Sequence, residues 1–277
     1  MKSPIHFGTS GWRGLIARDF TFEHLRLAAQ GLALTLKSEL RRKNSPIHGK
    51  RPLVVIGHDT RFLGREFALA TAEILQQAGL EPLLTNRDAP TPVIAFSIRH
   101  KKAIGGVNIT ASHNPFGYSG FKFSMPNGAG APPEFTGKIE AHAEKLLAKG
   151  WQPKTAVIGT FSCPEFDPAP AYLRRIRKLV DLQAIGKAKL RIAVELMHGT
   201  GRGYLDTLLE EAGSKVTCFH ENLNPLFGGG SPEPNESGMA EAARFVRSGQ
   251  ADLALGLDGD ADRFGIVGRD GTWLTPN

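Results

Sequence analysis

The sequence predicts an α/β protein with two units, each a β-sheet covered by helices, and three observations support this fold class. The chain has 277 residues, and at roughly 150 residues per domain this length suits two domains. Hydrophobic residues make up 41% and charged residues 22%, which is typical of globular proteins and excludes collagen-like, coiled-coil and wholly disordered chains. A strand–helix–strand pattern occurs twice, which indicates two α/β layers.

The first strand–helix–strand pattern lies in the N-terminal half of the chain. Thr21 is the predicted N-cap of a long amphipathic helix, because apolar residues then recur every three or four positions at Leu25, Ala29, Leu32, Leu36 and Leu40. The short, β-branched and uncharged run 53–57 predicts a strand buried on both faces. A helix that ends near Ala78 and Gly79 and a strand over 80–84 complete the pattern.

The second pattern follows a proline-rich connection. Residues 159–170 carry three prolines with little periodicity, so we place the boundary there and expect domains at 1–165 and 166–277. The elements predicted after it are a strand over 192–194, a glycine loop over 199–203, a helix from 205 to about 213 and a strand over 215–219. The end of the chain predicts a strand, an acidic loop and a hairpin, at 253–257, 258–263 and 264–271.

Charge and cysteine content narrow the classes of function. The net charge of +7 suits phosphorylated small molecules, nucleic acid or solubility alone. The densest basic run, 174–178, lacks interleaved aromatic residues, so we expect a solvated helix face and no nucleic-acid partner. Cys163 and Cys218 have the spacing of neither a disulfide framework nor a zinc site. No apolar run reaches the roughly 18 residues that span a bilayer, and the N-terminus lacks a signal peptide, so we expect a cytoplasmic protein without membrane contact.

The acidic loop is a candidate metal site. Asp258, Asp260 and Asp262 stand at every second position, and in an extended loop this spacing directs three carboxylates to one point. Hard oxygen donors of this kind suit Mg²⁺. An EF-hand is excluded, because its sixth position requires glycine and its twelfth glutamate, where this chain has Arg263 and Arg269. A solvated acidic turn is the alternative, but it would hold three like charges together without a cation.

A second candidate site lies where the predicted strand ending near Ile109 enters a polar turn. Residues 110–115, TASHNP, present a hydroxyl, an imidazole and an amide together, with Ser112 as the candidate nucleophile. A serine hydrolase is disfavoured, because there is no GxSxG elbow and His113 is the immediate neighbour of the serine. A simple capped turn remains open, since Ser, His, Asn and Pro are all common turn residues.

Three motifs in this order resemble the α-D-phosphohexomutase family: GTSGWRG at 8–14, TASHNP at 110–115 and DGDADR at 258–263. The resemblance extends through HDTR, PTP, MHG, NPLF and PEPN, at 58–61, 90–92, 197–199, 224–227 and 232–235, and so covers essentially the whole chain. It is nearest to the phosphoglucomutase/phosphomannomutase branch. The implied fold is two three-layer α/β/α domains with mixed sheets, the first half of a four-domain architecture.

The resemblance implies a phosphoryl relocation between hexose 1-phosphate and hexose 6-phosphate, with glucose or mannose as the sugar. Ser112 matches the family serine that carries the phosphoryl group, and a hexose 1,6-bisphosphate is the implied intermediate and activator. Mg²⁺ would be held by Ser112 and by the three aspartates of the acidic loop. Phosphoryl transfer depends mainly on positioning and charge neutralisation, which suits these residues.

Five further residues receive roles from the resemblance. Lys122 and Arg13 match family residues near the phosphoryl group, and we expect Arg13 to lie in a glycine-flanked turn that approaches an anion closely. His113 and Asn114 would shape the serine turn and contact the phosphoserine or the substrate. Arg263 would steady the acidic loop or the phosphoserine.

The sequence also departs from the family pattern. Ser119 stands where many members have asparagine, and Glu195 where the strand of the second domain often ends in aspartate. The family's third and fourth domains, which complete the cleft for the sugar phosphate, cannot be located before Asn277. We therefore expect a fragment of the first two domains, with little turnover alone.

Three alternative functions share features of this sequence. Phosphoglucosamine mutase activity stays open, because the loops that select the sugar are absent. A fragment that binds Mg²⁺ or a sugar phosphate without catalysis also stays open. A dinucleotide-binding protein is disfavoured, because the glycine loop has Tyr204 where the fingerprint requires its third glycine.

Overall fold

The computed structural model describes residues 5–9, 11–42, 51–153 and 160–275, which form two α/β units. The first unit is a seven-stranded mixed sheet in the order β1-β2-β6-β5-β3-β4-β7. Its strands are β1 (Phe7–Gly8), β2 (Gly11–Leu15), β3 (Leu53–His58), β4 (Glu81–Thr85), β5 (Gly106–Ile109), β6 (Tyr118–Ser124) and β7 (Glu165–Phe166). Strands β3, β4, β5 and β7 are parallel, whereas β6, β2 and β1 follow as antiparallel neighbours.

Helices cover both faces of the first sheet. They are α1 (Phe22–Arg42), α2 (Gly64–Gln77), α3 (Thr91–His100) and α4 (Pro133–Ala148). Val54 and Ile56 of β3 pack with α1, α2 and α4, and Val55 packs on the other face against α3. The uncharged run in β3 therefore reflects burial on both faces, as its composition predicts. The predicted N-cap is also confirmed, because the His24 amide donates to Thr21 Oγ1 over 3.2 Å.

The contact between α1 and α4 depends on a glycine. A Cβ at Gly31 in α1 would lie 2.7 Å from the backbone oxygen of Ile139 in α4. We expect Gly31→Ala to lower the free energy of unfolding by about 1–3 kcal/mol, because it overpacks this contact. Gly137→Ala is the matched control, since that helical position in α4 faces open space and alanine should stabilise it by about 0.5–1 kcal/mol. Denaturant unfolding measures both changes, and equal stability of the two variants would contradict the prediction.

The second unit is a five-stranded mixed sheet in the order β12-β11-β10-β8-β9. Its strands are β8 (Arg191–Glu195), β9 (Lys215–Phe219), β10 (Leu253–Leu257), β11 (Phe264–Val267) and β12 (Trp273–Leu274). Its helices are α5 (Ala169–Arg177), α6 (Leu182–Lys187), α7 (Leu205–Glu211) and α8 (Ala240–Arg247). Helices α6 and α7 pack on one face of the sheet and α8 packs on the other. The predicted fold class of two α/β/α domains with mixed sheets is confirmed.

The proline-rich connection contributes to the first sheet. Glu165 and Phe166 form β7, which pairs with the edge strand β4 in parallel. The boundary placed between residues 165 and 166 falls inside this two-residue strand, and the domain limits remain a prediction. Residue 159, where the predicted connection begins, lies outside the described residues. In the described part of the chain, none of the helices combines the length and apolarity needed to cross a bilayer.

The two units meet where parallel strands end. The loop over residues 110–115, here called the serine loop, follows the carboxyl end of β5. The acidic loop, residues 258–263, follows the carboxyl end of β10 in the other sheet. Between these units, Val93 of α3 packs with Leu173, Tyr204 and Leu208 in one apolar cluster. Ligands of α/β proteins bind at the carboxyl ends of strands, so this junction is the expected location of a site.

Candidate functional site

The serine loop holds Ser112 in a strained conformation. Ser112 has a φ of 52° and is 2% exposed. A positive φ is uncommon for a residue with a side chain and persists where the surroundings impose it. Here the Ser112 amide donates to Thr110 Oγ1 over 2.9 Å, and the Thr110 hydroxyl donates to Asp59 Oδ2 over 2.7 Å. The loop conformation is thus fixed by hydrogen bonds that begin at a buried carboxylate.

Arg61 is the second support of the serine loop, and its side chain is fully buried. Its Nε donates to Asp59 Oδ2 over 3.0 Å, and its Nη2 donates to the carbonyl oxygens of Ser112 and Asn114, each over 2.6 Å. Its Nη1 donates to the carbonyl oxygens of two further residues, Pro115 and Tyr118. Burial raises the pKa of the Asp59 carboxyl, and the Arg61 charge opposes that rise. One guanidinium thereby fixes both sides of the serine turn.

The acidic loop brings its three carboxylates together as predicted. One oxygen from each of Asp258, Asp260 and Asp262 lies within 4.8 Å of the others, and the first two residues are fully buried. Asp258 Oδ1 accepts the amides of Asp262 and Arg263 over 2.9 and 3.0 Å. These bonds fold the loop back on its first carboxylate.

The loop also contacts the serine directly. Ser112 Oγ donates to Asp258 Oδ2 over 2.9 Å, and this bond links the serine loop of the first unit to the acidic loop of the second. Burial, followed by the charges of Asp260 and Asp262, raises the pKa of Asp258 to about 8. Asp260 Oδ1 is buried and has no hydrogen-bond partner among the described residues. Crowded carboxylates with an unpartnered oxygen fit a hard divalent cation such as Mg²⁺.

Metal binding should stabilise this chain measurably. A cation that neutralises the buried carboxylates binds the folded state alone, so Mg²⁺ at 100 times its Kd should add about 2.7 kcal/mol. For a protein of this size that corresponds to a rise in Tm of roughly 5–10 °C. Thermal melts in Mg²⁺ and in EDTA, at matched ionic strength, measure the difference. Identical melting curves would contradict a cation site at this loop.

Two of the predicted cationic residues lie on neighbouring strands beside the carboxylates. Lys122 Nζ on β6 is 3.0 Å from Asp262 Oδ2 and 4.0 Å from Asp260 Oδ2. Arg13 donates from Nη1 to Asn114 Oδ1 over 2.6 Å. The predicted turn at Arg13 is wrong, because Arg13 lies inside β2 and pairs with Gly120 of β6. Lys122 therefore contacts the acidic loop, and Arg13 contacts the serine loop.

His113 and Arg263 are the other two predicted residues with basic side chains, and their contacts at the site are looser. His113 Nδ1 is 3.4 Å from Ser112 Oγ, a weak contact, and burial lowers the pKa of this imidazole, with the Arg263 charge acting in the same direction. The Arg263 side chain is half-exposed and pairs with Glu233 Oε1 over 3.6 Å. The hydrogen bond from the Arg263 backbone amide to Asp258 Oδ1 supports the predicted role of Arg263 in steadying the acidic loop.

A further loop of the second unit, residues 227–231, contacts the serine loop and its support Arg61. The ring of Phe227 lies 4.9 Å from the Arg61 guanidinium carbon, and the Ser231 hydroxyl donates to the His113 carbonyl oxygen. A Cβ at Gly259 would lie 2.9 Å from the Ser112 carbonyl oxygen, so glycine permits the close approach of the acidic loop.

Sequence reasoning assigned no role to five residues of this site: Asp59, Arg61, Thr110, Phe227 and Ser231. Only part of this set had a signal in the sequence. The segments HDTR, TASHNP and NPLF belong to the family resemblance, and they contain all of these residues except Ser231. Their functions depend on contacts with distant parts of the chain, so the sequence could mark them without explaining them.

Comparison with known proteins follows the same division of the chain. The family models for phosphoglucomutase/phosphomannomutase α/β/α domains I and II match residues 4–149 and 170–271. A phosphoglucomutase/phosphomannomutase of Thermococcus kodakarensis is 33% identical over 97% of this chain and 56% of its own length. A probable phosphoglucosamine mutase of Methanosphaera stadtmanae is 33% identical over 98% of this chain and 56% of its own length.

The fold agrees with these sequence matches. A crystal structure described as a phosphomannomutase of Thermus thermophilus superimposes with a TM-score of 0.85 and 34% identity, covering 100% of this chain and 60% of that one. The chain thus spans little more than half the length of these relatives. From the family models, the relatives and the superposition together, the chain belongs to the phosphohexomutase family and carries its first two domains, I and II.

Proposed function

We propose that this chain forms the phosphoryl-carrying half of a phosphohexomutase, with Ser112 as the residue that accepts and donates the phosphoryl group. The observation that carries the proposal is the 2.9 Å hydrogen bond from Ser112 Oγ to Asp258 Oδ2, which joins the serine hydroxyl to the acidic loop across the two units. Membership of the family supports the reaction class, the interconversion of hexose 1-phosphate and hexose 6-phosphate.

Asp258, Asp260 and Asp262 would hold Mg²⁺ together with an oxygen of Ser112 or its phosphate. When bound, the cation would neutralise charge on the transferring phosphoryl group. The chain itself contributes position: Arg61 fixes the backbone on both sides of Ser112, and the acidic loop fixes the carboxylates. Positioning of this kind supplies much of the rate enhancement in phosphoryl transfer.

The transfer to a sugar follows from this arrangement. The bond between phosphorus and Ser112 Oγ breaks, and a bond forms between phosphorus and a hydroxyl oxygen of the hexose phosphate. The proton lost by that hydroxyl is delivered to Ser112 Oγ, so that the serine ends as a neutral hydroxyl. Lys122 would relay this proton or neutralise charge. Its distances to Asp262 Oδ2 and Asp260 Oδ2, 3.0 and 4.0 Å, support this role. The reverse transfer from the other phosphate of the bisphosphorylated sugar restores the phosphoserine.

Four polar side chains are proposed to contact the phosphate groups: Arg13, His113, Asn114 and Arg263. Arg13 and Asn114 are already hydrogen-bonded to each other beside the serine. Arg263 pairs loosely with Glu233 at 3.6 Å, which leaves its guanidinium able to turn toward an anion. Domains III and IV of the family would supply the remaining contacts with the sugar phosphate.

A single-turnover experiment tests the reaction. The chain is mixed with Mg²⁺ and one hexose 1,6-bisphosphate at a time, with glucose, mannose or glucosamine as the sugar, and the hexose monophosphate released is quantified. We expect up to one equivalent per chain, since transfer to Ser112 leaves a monophosphate behind. Absence of monophosphate with all three sugars would contradict phosphoryl transfer by this chain.

Two other functions of the same site have specific support. The similarity to a relative named as a phosphoglucosamine mutase favours glucosamine phosphate as an alternative substrate, and the comparison of sugars decides between them. A chain that binds Mg²⁺ and a sugar phosphate without transfer is the other alternative. It is supported by the half-length match to the relatives, and binding without release of monophosphate would identify it.

A further inference from the structure

Thr91 connects the strand of the serine loop to the acidic loop. Asn108, on β5, donates from Nδ2 to Thr91 Oγ1 over 2.8 Å. The Thr91 hydroxyl donates to Asp260 Oδ2 over 2.6 Å, and the Thr91 amide donates to the Asp260 carbonyl oxygen over 2.8 Å. The first of these bonds lies within the first unit. The other two join Thr91 to Asp260 of the second unit, one at the carboxylate proposed to hold the cation and one at the backbone carbonyl.

The position of Thr91 in the fold suits contact with a carboxylate. It is the first residue of α3, directly after the cap residue Pro90. Amides in the first turn of a helix lack partners within the helix, and the helix dipole places partial positive charge there. The Thr91 amide donates to the Asp260 carbonyl oxygen, so the N-terminus of α3 is held against the acidic loop.

The hydrogen bonds have a defined direction. Asn108 occupies the acceptor side of the Thr91 oxygen with an N–H donor, so the hydroxyl proton is free to point at Asp260. Asp260 Oδ2 is thereby engaged, with Lys122 Nζ also 4.0 Å away. Asp260 Oδ1 is buried and, in the part of the chain that the structure describes, has no hydrogen-bond partner. The two oxygens of this carboxylate therefore differ: Oδ2 is hydrogen-bonded to Thr91, whereas Oδ1 is available to bind a cation.

We propose that Thr91 is a positioning residue that orients the Asp260 carboxylate, so that Oδ1 faces the divalent cation, and that Asn108 sets the direction of the Thr91 hydroxyl. The inference rests on the proposed metal site and adds to it a specific hydrogen-bonded support. It also explains how the end of β5, which leads into the serine loop, is held in a fixed position relative to the acidic loop of the other unit.

Thr91→Val is the principal test, because valine keeps the shape and the backbone amide of threonine and removes only the hydroxyl, which donates to Asp260 and accepts from Asn108. Loss of a partner that orients a metal ligand typically weakens metal affinity 10–100-fold, so we expect Mn²⁺ to bind at least about 10-fold more weakly. The affinity is measured on the chain by isothermal titration calorimetry after EDTA treatment and dialysis. Thr91→Ser retains the hydroxyl and should bind Mn²⁺ close to wild type.

A matched control removes a buried hydroxyl elsewhere. Thr71 in α2 is fully buried, and its hydroxyl donates to the Phe67 carbonyl oxygen over 2.9 Å, away from the site. Thr71→Val should leave Mn²⁺ affinity unchanged. Asn108→Ala is the second variant and should weaken affinity less than Thr91→Val, because the Thr91 hydroxyl remains but loses its direction. Circular dichroism in EDTA establishes that each variant is folded, and if Thr91→Val is not, Asn108→Ala carries the test.

The outcomes separate the inference from the function on which it rests. Wild-type affinity in Thr91→Val, with Mn²⁺ binding intact in the unmodified chain, overturns the positioning role and leaves the metal site standing. Equal weakening in Thr91→Val and Thr91→Ser also overturns it, because the hydroxyl would then not be the cause. Absence of Mn²⁺ binding by the unmodified chain overturns the metal site and the inference together.

Discussion

Asp258→Asn is expected to abolish the stabilisation of this chain by Mg²⁺ while leaving the metal-free fold at least as stable as wild type. The metal affinity should fall by more than about 100-fold, beyond the loss typical for a residue that only orients a ligand. The fold should tolerate the change, because asparagine keeps the oxygen that accepts the amides of Asp262 and Arg263. Thermal melts in Mg²⁺ and in EDTA measure both effects.

The effect of Asp258→Asn on stability should change with pH, in a direction that follows from the pKa of Asp258. The pKa of Asp258 rises from 3.8 to about 8 in the folded, metal-free chain, so the folded state holds a proton that the unfolded state has lost. Stability from this group therefore falls as pH increases between those two values. In EDTA, the stability of Asp258→Asn relative to wild type should increase over this range. A variant that responds to Mg²⁺ like wild type, or that unfolds in EDTA, would contradict the assignment.

Arg61→Met is expected to cause the largest loss of stability among these substitutions. The Arg61 side chain is fully buried and donates to the Asp59 carboxylate and to four carbonyl oxygens. Methionine has similar length but no donors, so it leaves a buried charge and several carbonyl groups unpaired. Breaking a buried ion pair in this way typically costs about 3–5 kcal/mol. Denaturant unfolding, followed by circular dichroism, measures the change.

Arg65→Met is the matched control for Arg61→Met. Arg65 lies four residues later, in the first turn of α2, and pairs with Glu165 over 2.5 Å, but both side chains are exposed by more than a third. Exposed ion pairs contribute about 0–1 kcal/mol, so this variant should unfold close to wild type. Similar losses of unfolding free energy in the two variants would show that burial does not determine how much Arg61 contributes to stability.

Local sequence patterns predict the elements whose apolar or acidic residues form a pattern within a single short segment. The apolar spacing after Thr21 corresponds to α1, and the uncharged run 53–57 corresponds to β3. The helix is predicted by the periodicity of its apolar residues, and the strand is predicted by its continuous apolar composition. The acidic loop is similar, because alternation of carboxylates within five residues already brings their oxygens together.

Predictions from the sequence were wrong or missing where a strand pairs with another strand that is distant along the chain. Arg13 was expected in a turn because glycines flank it, but pairing with β6, more than 100 residues later, makes the segment a strand. The short strand β7 depends in the same way on its neighbour β4 and lacks a pattern of its own. Local propensity is a weak guide where pairing decides the conformation.

The site combines both kinds of information. The serine and acidic loops were marked by motifs, whereas the family resemblance supplied the roles of Lys122 and Arg13. Support for the serine loop by Arg61, and for Asp260 by Thr91, comes from contacts between residues more than 50 positions apart. Such contacts appear only in the folded chain, although the segments HDTR and PTP contain the residues that make them.

Intact-mass measurement with phosphosite mapping, after the chain is incubated with Mg²⁺ and glucose 1,6-bisphosphate, directly tests whether Ser112 accepts a phosphoryl group. We expect a mass increase of one phosphoryl group, located on Ser112 and absent from a Ser112→Ala variant. The serine loop and the acidic loop would then form a working phosphoryl acceptor. A Ser112 that stays unmodified, or a phosphate on another residue that persists in Ser112→Ala, would contradict the assignment of Ser112 as the phosphoryl carrier of this chain.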